Sequence, residues 1–106
     1  MPKYLFKASY TSEGIKGIQS GGGSRRREVI GGLAEGVGGK LEALYFAFGD
    51  ADVYAFCEFP DNETAAAVAL AVNASDTTSV KTVVLLTPEE VDAAAKRSVG
   101  YTPPGG

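Results

Sequence analysis

Residues 3–10 (KYLFKASY) alternate along the chain. Tyr4, Phe6, Ala8 and Tyr10 share one side, while Lys3, Leu5, Lys7 and Ser9 share the other. A period of two predicts a strand with one wetter face. Thr11 or Ser12 can cap a short helical turn carrying Ile15 and Ile18, because a hydroxyl there accepts a free amide. Gly21-Gly22-Gly23 then reads as a break or loop. Ser24 is the expected cap of a second helix, whose Ile30, Leu33 and Val37 fall at i, i+3 and i+7 on one stripe. Gly31, Gly32 and Gly36 weaken that helix, each by about 1 kcal/mol relative to alanine. Gly38-Gly39 is its expected stop.

Residues 40–48 (KLEALYFAF) and 53–59 (VYAFCEF) predict two aromatic-rich strands, joined as a hairpin by Gly49-Asp50-Ala51-Asp52. Asp61 or Asn62 opens a helix over 62–74, with Ala65, Val68 and Val72 on a shallow apolar face. Residues 80–86 (VKTVVLL) give a fourth strand. Thr87-Pro88-Glu89-Glu90 is a strong helix start, with a capping threonine, proline in the first turn and a glutamate placed to complete a capping box. That last helix covers 88–97, and Lys96 and Arg97 suit its negative dipole end. Residues 100–106 (GYTPPGG) read as a flexible tail outside a single domain over 1–99.

The order is β-α-β-β-α-β with a short C-terminal helix, the α+β pattern of ferredoxin-like folds with a four-stranded antiparallel sheet. Helices cover one sheet face only. Strict alternation puts Leu41, Ala43, Tyr45 and Ala47 on one side of the second strand and Glu42, Leu44, Phe46 and Phe48 on the other. In the third strand Val53, Ala55, Cys57 and Phe59 oppose Tyr54, Phe56 and Glu58. Both sides are substantially apolar, more than a soluble monomer usually exposes. The expectation is a homodimer or higher assembly, packed face to face as a dimeric α+β barrel. Glu42 and Glu58, if they point inward, then need partners or a wet cavity.

Composition narrows the chemistry. The chain has 106 residues and a formal net charge of −3, so charge gives no reason to expect nucleic acid or an anionic membrane as partner. The RNA-binding stretch known for aromatic sheets of this topology is absent. There is no histidine, which removes Ser-His-Asp, Cys-His and His-ligated metal chemistry. Cys57 is the single cysteine, so neither an intrachain disulfide nor a thiolate metal cluster is expected. No cofactor motif is present. The N-terminus lacks signal-peptide character and no apolar run is long enough to span a bilayer, so the expected location is cytoplasmic.

The blocks MPKYLFKASYTSEGIKG, GGSRRREV, GGKLEALYFAFGDAD and VKTVVLLTPEEVDAA, in this order, resemble the GYD-domain proteins. These are small bacterial proteins of unassigned function. The resemblance spans about residues 2–95 and implies a ferredoxin-like, dimeric α/β-barrel fold. It brings no catalytic residues with it. Gly49 and Asp52 match the segment for which the family is named, and Ala51 stands where tyrosine is usual.

Three constellations carry candidate chemistry. Gly22, Gly23 and Ser24 entering a helix, followed by Arg25, Arg26 and Arg27, could hold an anion through free amides and guanidinium groups. The bland alternative is a loop with solvated arginines. Asp50 and Asp52, with Glu42 or Glu58, could do acid/base work or bind a hard cation, although aspartates also simply stabilise turns. Tyr10, with Tyr4, Phe6, Tyr45, Phe46, Phe48, Tyr54 and Phe56, could line a pocket for an aromatic ligand or form core and interface. Cys57 reads as a small buried hydrophobe. The leading expectation is therefore binding of a small anionic or aromatic molecule in or beside a dimeric barrel. The alternatives are a cofactor-free isomerase or monooxygenase-type enzyme, using Asp52 or a tyrosine to handle protons, and an assembly role through the apolar face.

Overall fold

The computed structural model describes residues 1–106. It is an α+β fold with one open, four-stranded antiparallel sheet and four helices. The elements run β1 (Lys3–Tyr10), α1 (Ser12–Gly21), α2 (Gly23–Gly36), β2 (Lys40–Phe46), β3 (Val53–Glu58), α3 (Asn62–Asn73), β4 (Thr78–Leu85) and α4 (Pro88–Ala95). The sheet order is β2-β3-β1-β4.

The alternation in β1 holds. Tyr4, Phe6 and Ala8 are buried under the helices, and their antiparallel partners Cys57, Ala55 and Val53 are buried with them. Phe59 locks this layer, with its ring edge-on to Phe6 at 5.7 Å and tilted against Tyr4 at 5.9 Å. The Tyr4 hydroxyl donates to Asn62 Oδ1 at 2.6 Å, so the one polar atom in this cluster is satisfied. Ala34, Ala65 and Val68 complete the core from the helix side.

The face assignment in β2 departs from strict alternation. A bulge between Leu41 and Ala43 inserts Glu42 as an extra residue. Leu41 therefore lands on the same side as Leu44, and both pack on the core. Freed from the ladder, Glu42 accepts from Lys3 Nζ at 2.8 Å, and Glu58 lies 3.6 Å from the same ammonium. Both glutamates belong to the uncovered sheet face, with the lysine as their partner. The hydrogen bond to Glu42 leads the causes that hold the Lys3 ammonium above its ordinary pKa.

The glycine run is also not a loop. The first helical turn extends to ten residues, capped by Thr11, whose Oγ1 accepts from the Gly14 amide at 3.4 Å. Gly22 alone breaks the chain. It takes φ +83°, a left-handed conformation that costs glycine little, and its amide still donates to the Ile18 carbonyl. The second helix starts at Gly23 with Gly22 as its cap, so Ser24 is an exposed first-turn residue rather than the cap. In that helix Ala34 is the buried residue, while Leu33 and Val37 are exposed. A small side chain brings the backbone of α2 close to the sheet, which a leucine at that point would prevent.

The remaining elements lie close to expectation. Asp61 caps α3 by accepting from the Thr64 amide at 2.8 Å. Thr87 and Glu90 form the capping box of α4, which ends at Ala95. The second strand stops at Phe46 because the tip turns sharply there, with Phe48 at φ +56°. The fourth strand begins at Thr78, two residues earlier than the apolar run. No helix is long and apolar enough to cross a membrane.

Candidate functional site: a cleft between two helices

On the covered sheet face, α2 packs chiefly on β2 and α3 on β4. The two central strands β1 and β3 are left under a gap between the helices. Their inward residues there are small, with Ala8, Ala55 and Cys57 beside Phe6 and Val53. Val29, Ile30 and Leu33 of α2 form one wall, and Val68 and Val72 of α3 the other. The result is a cleft of about 130 Å³, lined by 14 hydrophobic residues out of 16. Its two non-hydrophobic lining residues are Arg26 and Thr78, and the Tyr10 hydroxyl and Cys57 thiol are the other polar groups that its lining residues carry.

A second, polar cavity of about 240 Å³ adjoins the first and shares Tyr10, Arg26, Val29 and Thr78 with it. Gly21, Gly22, Arg25 and Glu13 also line it. Arg26 stands at the junction. Its Nε donates to the Tyr10 hydroxyl at 3.3 Å, and its Cζ lies 5.8 Å from the Tyr10 ring centroid. This combined hydrogen bond and cation–π contact orients the guanidinium. Arg25 reaches Glu28 at 3.7 Å, whereas Arg26 has no carboxylate within ion-pair distance. The helix start beside it has no side-chain cap.

Of the residues singled out from sequence, Tyr10, Gly22, Arg25 and Arg26 therefore come together. Gly23 and Ser24 do not. They border a separate shallow surface with Arg27, Tyr45 and Phe46. Asp52 lines neither cavity. Its Oδ2 accepts from the Tyr10 amide at 2.8 Å, and its own amide donates to Ala8, which ties the hairpin to the end of β1. The expected grouping of Asp50 and Asp52 with Glu42 or Glu58 does not form. The two glutamates sit at the Lys3 end of the sheet, and no cluster of three metal-ligating side chains exists. Cys57 is buried in the cleft floor, and desolvation pushes its thiol up to about 11, the protonated and unreactive form at neutral pH.

From sequence, Ile30 and Leu33 on α2 and Val68 and Val72 on α3 read as packing faces, not as the walls of a cleft. The signal for the gap itself is the pair of small residues, Ala8 and Ala55, on an otherwise bulky inner face. The family model for the GYD domain matches residues 4–95, from the second residue of β1 to the last of α4. The chain belongs to the GYD domain family. Within this GYD domain the cleft, the Arg26–Tyr10 pair and the whole sheet lie inside the matched stretch. Ala51, where the family resemblance places tyrosine, is only 4% exposed, so this GYD domain carries no phenol at that point. No curated protein and no solved structure matches the chain.

Proposed function

We propose that this GYD-domain protein binds a small aromatic or aliphatic carboxylate, or a similar amphiphilic anion, with its apolar body between α2 and α3 and its charge at Arg26. The carrying observation is position: an oriented guanidinium without a carboxylate partner lies where an apolar cleft meets a polar one. A buried apolar surface contributes about 25 cal/mol per Å², and a charge-assisted hydrogen bond about 1.5–3 kcal/mol. Neither alone selects this ligand class; the two together do.

The protein acts as a homodimer with a ferredoxin-like subunit. Element order, with β1 between β3 and β4 in the sheet, supports the subunit reading. The uncovered face supports the dimer. Its second row runs Ala43, Phe56, Leu5 and Val83, and its third starts with Tyr45 and Tyr54. Only 12 of 106 residues are buried in the single chain, a thin core for a stable monomer.

Titration calorimetry with benzoate, against its uncharged counterpart benzamide, tests the binding reading. Saturable benzoate binding at least tenfold tighter than benzamide is expected. Equal binding of the two, or none, overturns it. Sedimentation equilibrium tests the dimer, which a single 11 kDa species would exclude.

A further inference from the structure

The polar cavity beside the cleft holds charges that the chain itself leaves unmatched. Glu13 of α1 and Arg26 of α2 both line it. Neither is in an ion pair, with the other or with any other side chain. Arg25, the remaining charged residue of the lining, faces Glu28 at 3.7 Å. One acid and one base thus share a cavity of about 240 Å³ and stand too far apart to neutralise each other.

The space between them comes from a wall without side chains. Gly14, Gly17 and Gly21 line the cavity from α1, at a spacing that puts all three on one face of the helix. A Cβ on Gly14 would strike the Thr77 carbonyl oxygen at 2.5 Å, so α1 lies hard against the residue before β4. At Gly17, one turn on, a Cβ would meet nothing within 4 Å, and the cavity stays open. Arg26 lines both this cavity and the apolar cleft, whereas Glu13 lines the polar cavity alone.

A ligand with a carboxylate alone pairs with Arg26 but brings a second negative charge into the cavity that holds Glu13. Like charges in one cavity work against binding. A ligand that carries an ammonium beside its carboxylate answers both residues. We infer that the ligand is an α-amino acid with an apolar side chain, its carboxylate on Arg26, its ammonium on Glu13 and its side chain between α2 and α3. The inference rests on the binding reading above and names its ligand class. An α-carbon sends a cation, an anion and an apolar group out from one point. The junction marked by Arg26 has an acid, a base and an apolar cleft around it in the same way.

The test is calorimetry on the full chain with L-phenylalanine, with 3-phenylpropionate, which lacks the ammonium, and with phenethylamine, which lacks the carboxylate. Glu13 is exposed, so the ion pair it adds is modest, and phenylalanine should bind about fivefold tighter than 3-phenylpropionate. It should exceed phenethylamine by at least as much. Glu13→Gln, checked for native far-ultraviolet circular dichroism, should remove the advantage over 3-phenylpropionate and leave 3-phenylpropionate bound at least as tightly as in wild type. Phenylalanine no tighter than 3-phenylpropionate in wild type overturns the inference, while the carboxylate reading stands. An advantage that survives Glu13→Gln, or a variant that weakens both ligands alike, overturns it too. If phenethylamine matches phenylalanine, or if neither carboxylate binds, the reading beneath it fails as well.

Discussion

The Arg26 Nε donates to the Tyr10 hydroxyl at 3.3 Å, across the junction of the apolar cleft and its polar mouth. One residue comes from the first turn of α2 and the other from the last position of β1, so the pair fixes helix to sheet where the ligand's charge would sit. Arg26→Ala should weaken benzoate binding at least tenfold, since a charge-assisted bond contributes about 1.5–3 kcal/mol. Tyr10→Phe keeps the ring under the guanidinium and loses only the hydroxyl, so a loss of about threefold is expected. Calorimetry on both variants checks the order; a larger loss in Tyr10→Phe would contradict it.

Filling the cleft should separate binding from stability. Val72 is half-buried on the α3 wall. Val72→Phe places a ring in existing space, so the unfolding free energy should change by less than about 1.5 kcal/mol. Benzoate binding should fall more than tenfold. Urea denaturation and calorimetry on one preparation measure both.

Two glycine substitutions should act in opposite directions. A Cβ on Gly39 would collide with the Glu58 carbonyl oxygen and the Phe59 ring. Gly39→Ala should therefore destabilise by about 1–3 kcal/mol. Gly32 lies inside α2 with open space around it, and Gly32→Ala should stabilise by about 0.5–1 kcal/mol. Denaturant midpoints report both signs.

Most of the fold was legible in the sequence, and the exceptions have physical causes. Tyr4, Phe6 and Ala8 declared the inner face of β1 by period alone. Thr87 and Glu90 declared α4 because both capping partners are local. Glu42 did not, since a bulge follows from the neighbouring strand's register and breaks alternation without a local signature. Three glycines concealed a single left-handed residue, because only packing chooses which one turns. The site was half legible. Arg25, Arg26 and Tyr10 were marked by their chemistry, whereas the cleft itself exists only where α2 and α3 fail to meet over Ala8 and Ala55. Asp52 was marked by its charge, but tertiary pairing gives its carboxylate to the Tyr10 amide.

Stability should respond to pH at two ends. Hydrogen bonds from the Thr64 side chain and backbone hold Asp61 below its ordinary value of 3.8. A depressed carboxylate stabilises the fold above about pH 4, and that contribution disappears as pH falls through the lowered value. Cys57 lies the other way. Burial raises it from 9.0 to about 11, so its contribution is complete below about pH 9 and is lost as pH rises through 11. Asp61→Asn should flatten the acid limb of a thermal-melting profile and Cys57→Ala the alkaline limb. Unchanged limbs would contradict these assignments.

The central claim is that the cleft between α2 and α3 receives an amphiphilic anion with its charge at Arg26. The most direct measurement is an amide NMR titration of the labelled protein with benzoate. Shifts concentrated at Arg26, Val29, Leu33 and Val72, saturating together with one affinity, are the predicted result. Shifts confined to Lys7, Tyr45 and Tyr54 on the uncovered face, or none at all, would contradict it.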